Sequence, residues 1–126
     1  MNMRTPLGKV RGHGAGHSGT THFWRERVTS LAAIPLVLFV LIFVIAMSGA
    51  DFVSVVRAIR NPFIAVGLLL AIVNIAYHMW LGMQVIVEDY VADNARRTVV
   101  LLASTFYCTT VGVAAAYAVL KISFGN

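Results

Sequence analysis

Charge is scarce in this sequence: 12% of its 126 residues are Asp, Glu, Lys or Arg, against 59% hydrophobic. An ordinary soluble domain carries about a quarter of its residues charged, so that class is excluded and the solvent for most of the chain is lipid. Cysteine is almost absent. The single Cys108 has no partner for an intrachain disulfide, belongs to no cluster that would hold iron and sulfur, and reads as a small packing residue in an apolar stretch. No Gly-rich phosphate loop, flavin motif or internal repeat is present. No basic domain interleaved with aromatics exists either, so the net charge of +5 does not mark a nucleic-acid binder.

What is abundant is long apolar sequence. Three stretches, 28–49, 62–88 and 98–122, each approach or exceed the roughly 20 residues needed to cross the hydrocarbon core. Their backbone amides and carbonyls find no water there, and their apolar character is continuous rather than alternating. They are therefore expected to be helices and not barrel strands. The expected fold is all-α, integral to the membrane, with three transmembrane helices (22–126) preceded by a flexible arm (1–21). The arm carries Gly8, Gly12, Gly14, Gly16 and Gly19 and too few apolar residues to bury a core. His13 and His17 have the spacing of helical metal ligands, but glycines between them disfavour a helix, and a solvated tail or docking strand is the expected reading. A secretory signal is rejected, because the basic region is about 27 residues long and the apolar run that follows is of full spanning length. Pro35 is a place where the first helix can bend.

Basic residues orient the chain. Arg4, Lys9, Arg11, Arg25, Arg27, Arg96 and Arg97 fall on one side, and Arg57, Arg60 and Lys121 on the other. The positive-inside rule then puts the N-terminus in the cytoplasm (the matrix, in a mitochondrion) and the C-terminus in the periplasm, across an inner membrane. The spans lack the paired polar residues and broken helices of a transport pathway.

Only one strongly polar ionisable residue lies deep in a span, and such residues are costly and tend to be functional. It is His78, some 16 residues beyond Pro62 and so roughly 24 Å along the helix, past the midplane toward the cytoplasm. Gly67, Ala71, Asn74, His78, Gly82, Val85 and Asp89 succeed one another on a single helix face. A face of small residues around a histidine fits close packing against another helix, or clearance for a flat macrocycle whose iron the imidazole ligates. Hydrogen bonding across helices and proton transfer are further roles for the ring, and Asn74 is a second candidate for an interhelical bond. Trp80 lies about 200° around the helix from His78, facing lipid or a partner. Glu88 and Asp89 stand at a helix C-terminus, where the helix dipole disfavours carboxylates, so Arg96, Arg97 or a partner's arginine is expected to offset them. Tyr90 is either an interfacial aromatic or a hydrogen-bond donor beside a proton-relaying Asp89.

The segment His78-Met79-Trp80-Leu81-Gly82-Met83-Gln84-Val85-Ile86-Val87-Glu88-Asp89-Tyr90 resembles the membrane-anchor D subunit of succinate dehydrogenase. The segment His22-Phe23-Trp24-Arg25-Glu26-Arg27-Val28-Thr29-Ser30 is similar to that family's short amphipathic entry to its first span. The resemblance implies His78 as an axial ligand of haem b, Asp89 and Tyr90 at the ubiquinone site, and Arg27 facing a haem propionate, with plain interfacial anchoring as the alternative for Arg27. It also implies a companion cytochrome b C subunit supplying the second axial ligand and completing the haem-binding bundle. Docked iron-sulfur and flavoprotein subunits would supply electrons, and membrane lipid would surround the rest. A fumarate reductase or cytochrome b-like anchor would keep the haem at His78 without ubiquinone. A small non-redox membrane protein would bind none.

Overall fold

The computed structural model describes residue 7 and residues 17–125, with side chains described from residue 20 onward. These residues form four helices: α1 (His17–Met47), α2 (Phe52–Ile59), α3 (Pro62–Tyr90) and α4 (Asn94–Phe124). Among the described residues there is no strand. Helices α1, α3 and α4 are each long and apolar enough to cross a membrane, so the all-α, three-span expectation holds. At 1.5 Å per residue, the 31 residues of α1 and of α4 reach about 46 Å, and helix ends therefore emerge from a hydrocarbon core about 30 Å thick.

That surplus explains where the expected helix bounds move. Apolar runs mark where a helix lies in hydrocarbon, whereas the hydrogen-bonded backbone continues into the polar interface. The first span was expected over 28–49, yet α1 begins eleven residues earlier, at His17, and ends at Met47. Residues 17–21 of the expected flexible arm thus belong to a helix. His13 lies outside the described residues, and His17 is described only as helical backbone. Gly49 ends the helix with a φ of 83°, a left-handed conformation that costs glycine little.

The second span starts as expected at Pro62, whose missing N–H is no loss in a first turn. Asn61 caps it by accepting a hydrogen bond from Phe63 N at 3.0 Å. It runs to Tyr90, two residues past the expected end. The third span was expected from residue 98, but Asp93 caps the helix by accepting from Arg96 N at 3.1 Å, so α4 already includes Asn94 to Arg97.

Helix α2 has no counterpart in the expected architecture. It is too short to cross, and its Phe52 and Arg57 are exposed while Val55, Val56, Ala58 and Ile59 are half-buried against α3 and α4. The Arg60 guanidinium donates to the Gly125 carbonyl, tying the end of α2 to the end of α4.

Helix α3 is central. It packs along α4 on one side and along α1 on another. Buried residues are few: Thr29 on α1, Ala65, Ala71, Leu81 and Val87 on α3, and Ser104 and Cys108 on α4. Apolar side chains elsewhere stay exposed, as expected for surfaces that face lipid or partner subunits.

Candidate functional site

The α1-facing side of α3 is the small-residue face read from the sequence, and it divides at His78. N-terminal to the histidine it is filled by α1. A Cβ built on Gly67 would lie 2.8 Å from two ring carbons of Phe39, so only glycine admits that ring at this separation. One turn before His78, Asn74 Nδ2 donates to the backbone carbonyl of Thr29 at 3.1 Å, the interhelical bond expected of it. His78 itself meets the same residue, with Nδ1 2.9 Å from Thr29 Oγ1. The Thr29 hydroxyl also lies 2.9 Å from the Arg25 carbonyl and 3.0 Å from that of Glu26. Thr29 is thus a buried polar node gripped by two successive turns of α3.

C-terminal to His78 the same face is open on this chain. A Cβ added to Gly82, one turn on, would meet nothing within 4 Å. Packing within the chain therefore does not require glycine at this position, whereas at Gly67 it does. His78 is half-buried, and among the described residues its Nε2 has no hydrogen-bond partner. An imidazole with one nitrogen engaged, one turn from a glycine with open space in front of it, fits the requirements of a flat iron macrocycle. Among the described residues no group of three or more His, Cys, Asp or Glu side chains converges as a metal cluster.

Trp80 points the other way, toward α4 of the same chain. Its Nε1–H donates to Thr105 Oγ1 at 3.0 Å, and its ring lies 5.6 Å from that of Tyr77. Both rings line an apolar cleft of about 440 Å³ between α3 and α4, with Ala76, Cys108 and Gly112.

At the end of α3, Asp89 and Tyr90 are exposed, Tyr90 to 85%. Asp89 is eleven residues from His78 and close to the same face, and Tyr90 is about 18 Å along the axis from His78 by helical rise. The two expected arginines act differently from one another. Arg97 does not pair with a carboxylate: its Nε donates to the Val91 carbonyl at 3.0 Å and its Nη2 to the Glu88 carbonyl at 3.3 Å. It offsets the negative helix end by bonding the unsatisfied carbonyls directly. Arg96 makes only an exposed contact of 3.8 Å with Asp93, which contributes little.

Arg27 is exposed and stacks over Phe23, 4.9 Å from the ring centroid. It stands two residues before Thr29, hence about 3 Å away along the axis and about 200° around it. Arg27 is level with His78 but is not brought into contact with it. Thr29 was not singled out in the sequence. Thr29 and Ser30 stand side by side where the charged entry gives way to the apolar run, and only the pairing of α1 with α3 reveals which hydroxyl faces His78.

Residues 1–112 match the family described as succinate dehydrogenase/fumarate reductase transmembrane subunit. Similar proteins include the succinate dehydrogenase hydrophobic membrane anchor subunit of Rickettsia bellii, 29% identical over 81% of this chain and 82% of that protein. The subunit of the same name from Paracoccus denitrificans is 26% identical over 99% of this chain and 96% of its own. The one from Rickettsia conorii is 25% identical over 90% of both. No solved structure matches significantly.

Proposed function

The chain belongs to the succinate dehydrogenase/fumarate reductase transmembrane subunit family, and from that premise we propose that it is the hydrophobic membrane anchor of a succinate dehydrogenase, ligating haem b through His78 and forming part of the ubiquinone-reduction site. The observation that carries the haem reading is the division of one α3 face at His78. Gly67 is filled by Phe39, whereas Gly82 is open on this chain. Bound haem would supply a one-electron carrier beside the quinone. His78 would hold the haem iron through one ring nitrogen, and the companion C subunit would contribute a second ligand. Arg27, exposed at the level of His78, is assigned to a haem propionate.

Reduction of a quinone to a quinol takes two electrons and two protons. The electrons come from outside this chain, which has neither a flavin motif nor a cysteine cluster, and the docked iron-sulfur and flavoprotein subunits are their source. The protons enter from water at the exposed end of α3. There the Tyr90 phenol donates a hydrogen bond to a quinone carbonyl, and Asp89 relays protons from the aqueous side. Arg97 pins the carbonyls that end the helix and so fixes the base on which both side chains stand. This end carries Arg96 and Arg97 and faces the cytoplasm, as does the N-terminus, while the C-terminus lies on the periplasmic side.

The test is a reduced-minus-oxidised visible spectrum and a succinate:quinone reductase assay on the purified complex containing this chain. The His78→Ala complex is expected to lose the b-type haem bands. Tyr90→Phe is expected to keep them while reducing quinone about 10- to 100-fold more slowly, the effect of one hydrogen bond to a group gaining charge. Full haem retention in His78→Ala removes the ligand assignment. Wild-type rates in Tyr90→Phe remove the quinone assignment.

A further inference from the structure

The hydroxyl of Thr29 has one proton and three neighbours within hydrogen-bond distance. Two are backbone carbonyls, of Arg25 at 2.9 Å and Glu26 at 3.0 Å, which can only accept. The third is Nδ1 of His78 at 2.9 Å, which accepts or donates according to the ring's tautomer. If the Thr29 proton went to Nδ1, the ring would carry its own proton on Nε2 and the node would hold one hydrogen bond. If the Thr29 proton goes to the carbonyls, Nδ1–H donates to the vacated Oγ1 lone pair and the node holds two. In a buried, low-dielectric setting the arrangement with more bonds wins. The hydroxyl is held in place by its bonds back to the Arg25 and Glu26 carbonyls, and the backbone at Thr29 is held against α3 by Asn74, whose Nδ2 donates to the Thr29 carbonyl at 3.1 Å.

From this geometry we infer that Thr29 is a positioning residue that sets the tautomer of His78: Nδ1 carries the proton and donates to Thr29 Oγ1, leaving the Nε2 lone pair as the ligating atom. The inference rests on the reading of His78 as a haem ligand and adds which nitrogen binds and what selects it. Nε2 is on the far side of the ring from Thr29. Donation from Nδ1–H also increases electron density on the ring, making Nε2 the more basic ligand, as outer-shell partners of metal-bound histidines generally do. Asn74 acts one step further out, by holding Thr29.

Two measurements on the complex test this. The first needs no variant of Thr29. Nitrogen-15 NMR of histidine-labelled complex, prepared haem-free by limiting haem supply, reads which ring nitrogen of His78 is protonated, with the signal identified by subtracting the His78→Gln spectrum. A proton on Nδ1 is expected, and a proton on Nε2 overturns the inference whether or not haem binds there. The second compares Thr29→Val, which keeps the shape and removes the acceptor, with Thr29→Ser, which keeps the acceptor. Thr29→Val is expected to weaken haem retention roughly 10- to 100-fold and to raise the haem midpoint potential, since a less basic ligand stabilises ferric iron less. Thr29→Ser is expected to restore both. Unchanged retention and potential in Thr29→Val, in a complex whose haem depends on His78, overturns the inference and leaves the ligand assignment standing. Haem that survives His78→Ala overturns the ligand assignment instead, and the NMR result then speaks for the tautomer alone. Should Thr29→Val fail to assemble, the wild-type NMR result decides.

Discussion

Helix α3 meets its two neighbours through different chemistry. Toward α1 it presents two polar side chains on successive turns, Asn74 and His78, which converge on Thr29, with the Phe39 ring seated on Gly67 further along. Toward α4 it presents small and aromatic residues. Ala76 faces Gly112 so closely that an added Cβ would lie 3.0 Å away, Leu81 and Cys108 are buried, and the side-chain bonds across the seam are Trp80 to Thr105 along its length and Arg97 to the Glu88 carbonyl at its end, far from His78. In lipid no hydrophobic force favours one helix contact over exposure to acyl chains, so seams are held by close packing and occasional polar bonds. The α4 seam is sufficient by that measure. The α1 seam carries more polar atoms than association requires, and they surround the residue that carries the proposed chemistry.

The comparison predicts that damage to the α1 seam reaches the haem and damage to the α4 seam does not. The largest effects should come from filling the two close approaches. Gly67→Leu forces the Phe39 ring away and should destabilise the membrane domain by about 1–3 kcal/mol, measured as a lowered dissociation temperature of the detergent-solubilised complex. It should also lower haem content, and Phe39→Ala in the same chain should restore both. Gly112→Leu drives α4 from Ala76 with a cost of the same size, yet the complex that survives should show an unaltered haem spectrum and potential. A shifted potential in Gly112→Leu would break the distinction between the seams.

A smaller effect is expected at the end of α3. Arg97→Ala releases the Glu88 and Val91 carbonyls and should raise the KM for quinone several-fold at constant haem content, given about 0.5–1.5 kcal/mol per hydrogen bond lost. Smaller again is the pair that compares the seams bond for bond. Asn74→Leu and Trp80→Phe each remove one interhelical hydrogen bond, worth about 0.6 kcal/mol in a membrane. Equal losses of stability are expected, with a change in haem potential in the Asn74 variant alone.

How much of this was legible in the sequence follows from what each feature depends on. The spans were legible because twenty apolar residues have only one solvent. The starts of α1 and α4 were not, because His17 to Arg27 and Asn94 to Arg97 are helical in the polar interface, where hydropathy carries no signal and Asp93 supplies the cap of α4. His78 and its small-residue face were legible from helical periodicity. The open surface at Gly82 and the filled one at Gly67 were not separable, since both are glycines on one face and only Phe39 distinguishes them. Thr29 depends on the register between α1 and α3, which leaves no periodic trace, whereas α2 is amphipathic but only eight residues long, well short of the runs that mark a span. The expected ion pair at Arg97 became a helix cap, because the carbonyls that end α3 lie within its reach and the exposed carboxylates are already solvated.

The smallest effect belongs to α2, which lies against α3 and α4 but outside both seams. Asp51, exposed ahead of its first turn, accepts a hydrogen bond from Ser54 Oγ at 2.5 Å, and that bond holds its carboxyl below the ordinary value of 3.8, with nearby backbone N–H groups adding to it. A carboxyl whose pKa falls on folding stabilises the fold above its unfolded pKa, and that contribution fades as pH drops through the lower, folded value. Ser54→Ala should therefore move the Asp51 titration upward toward the ordinary range, read by carbon-13 NMR of the labelled carboxyl. Because the group is exposed, solvent screening should keep the thermal stability of the complex at neutral pH unchanged, and the haem spectrum likewise. If the titration did not move, the N–H groups at the start of α2 would be the main cause. If the haem spectrum followed the titration, α2 would be coupled through α3 to His78, and the seams would not be the separate units that their chemistry makes them.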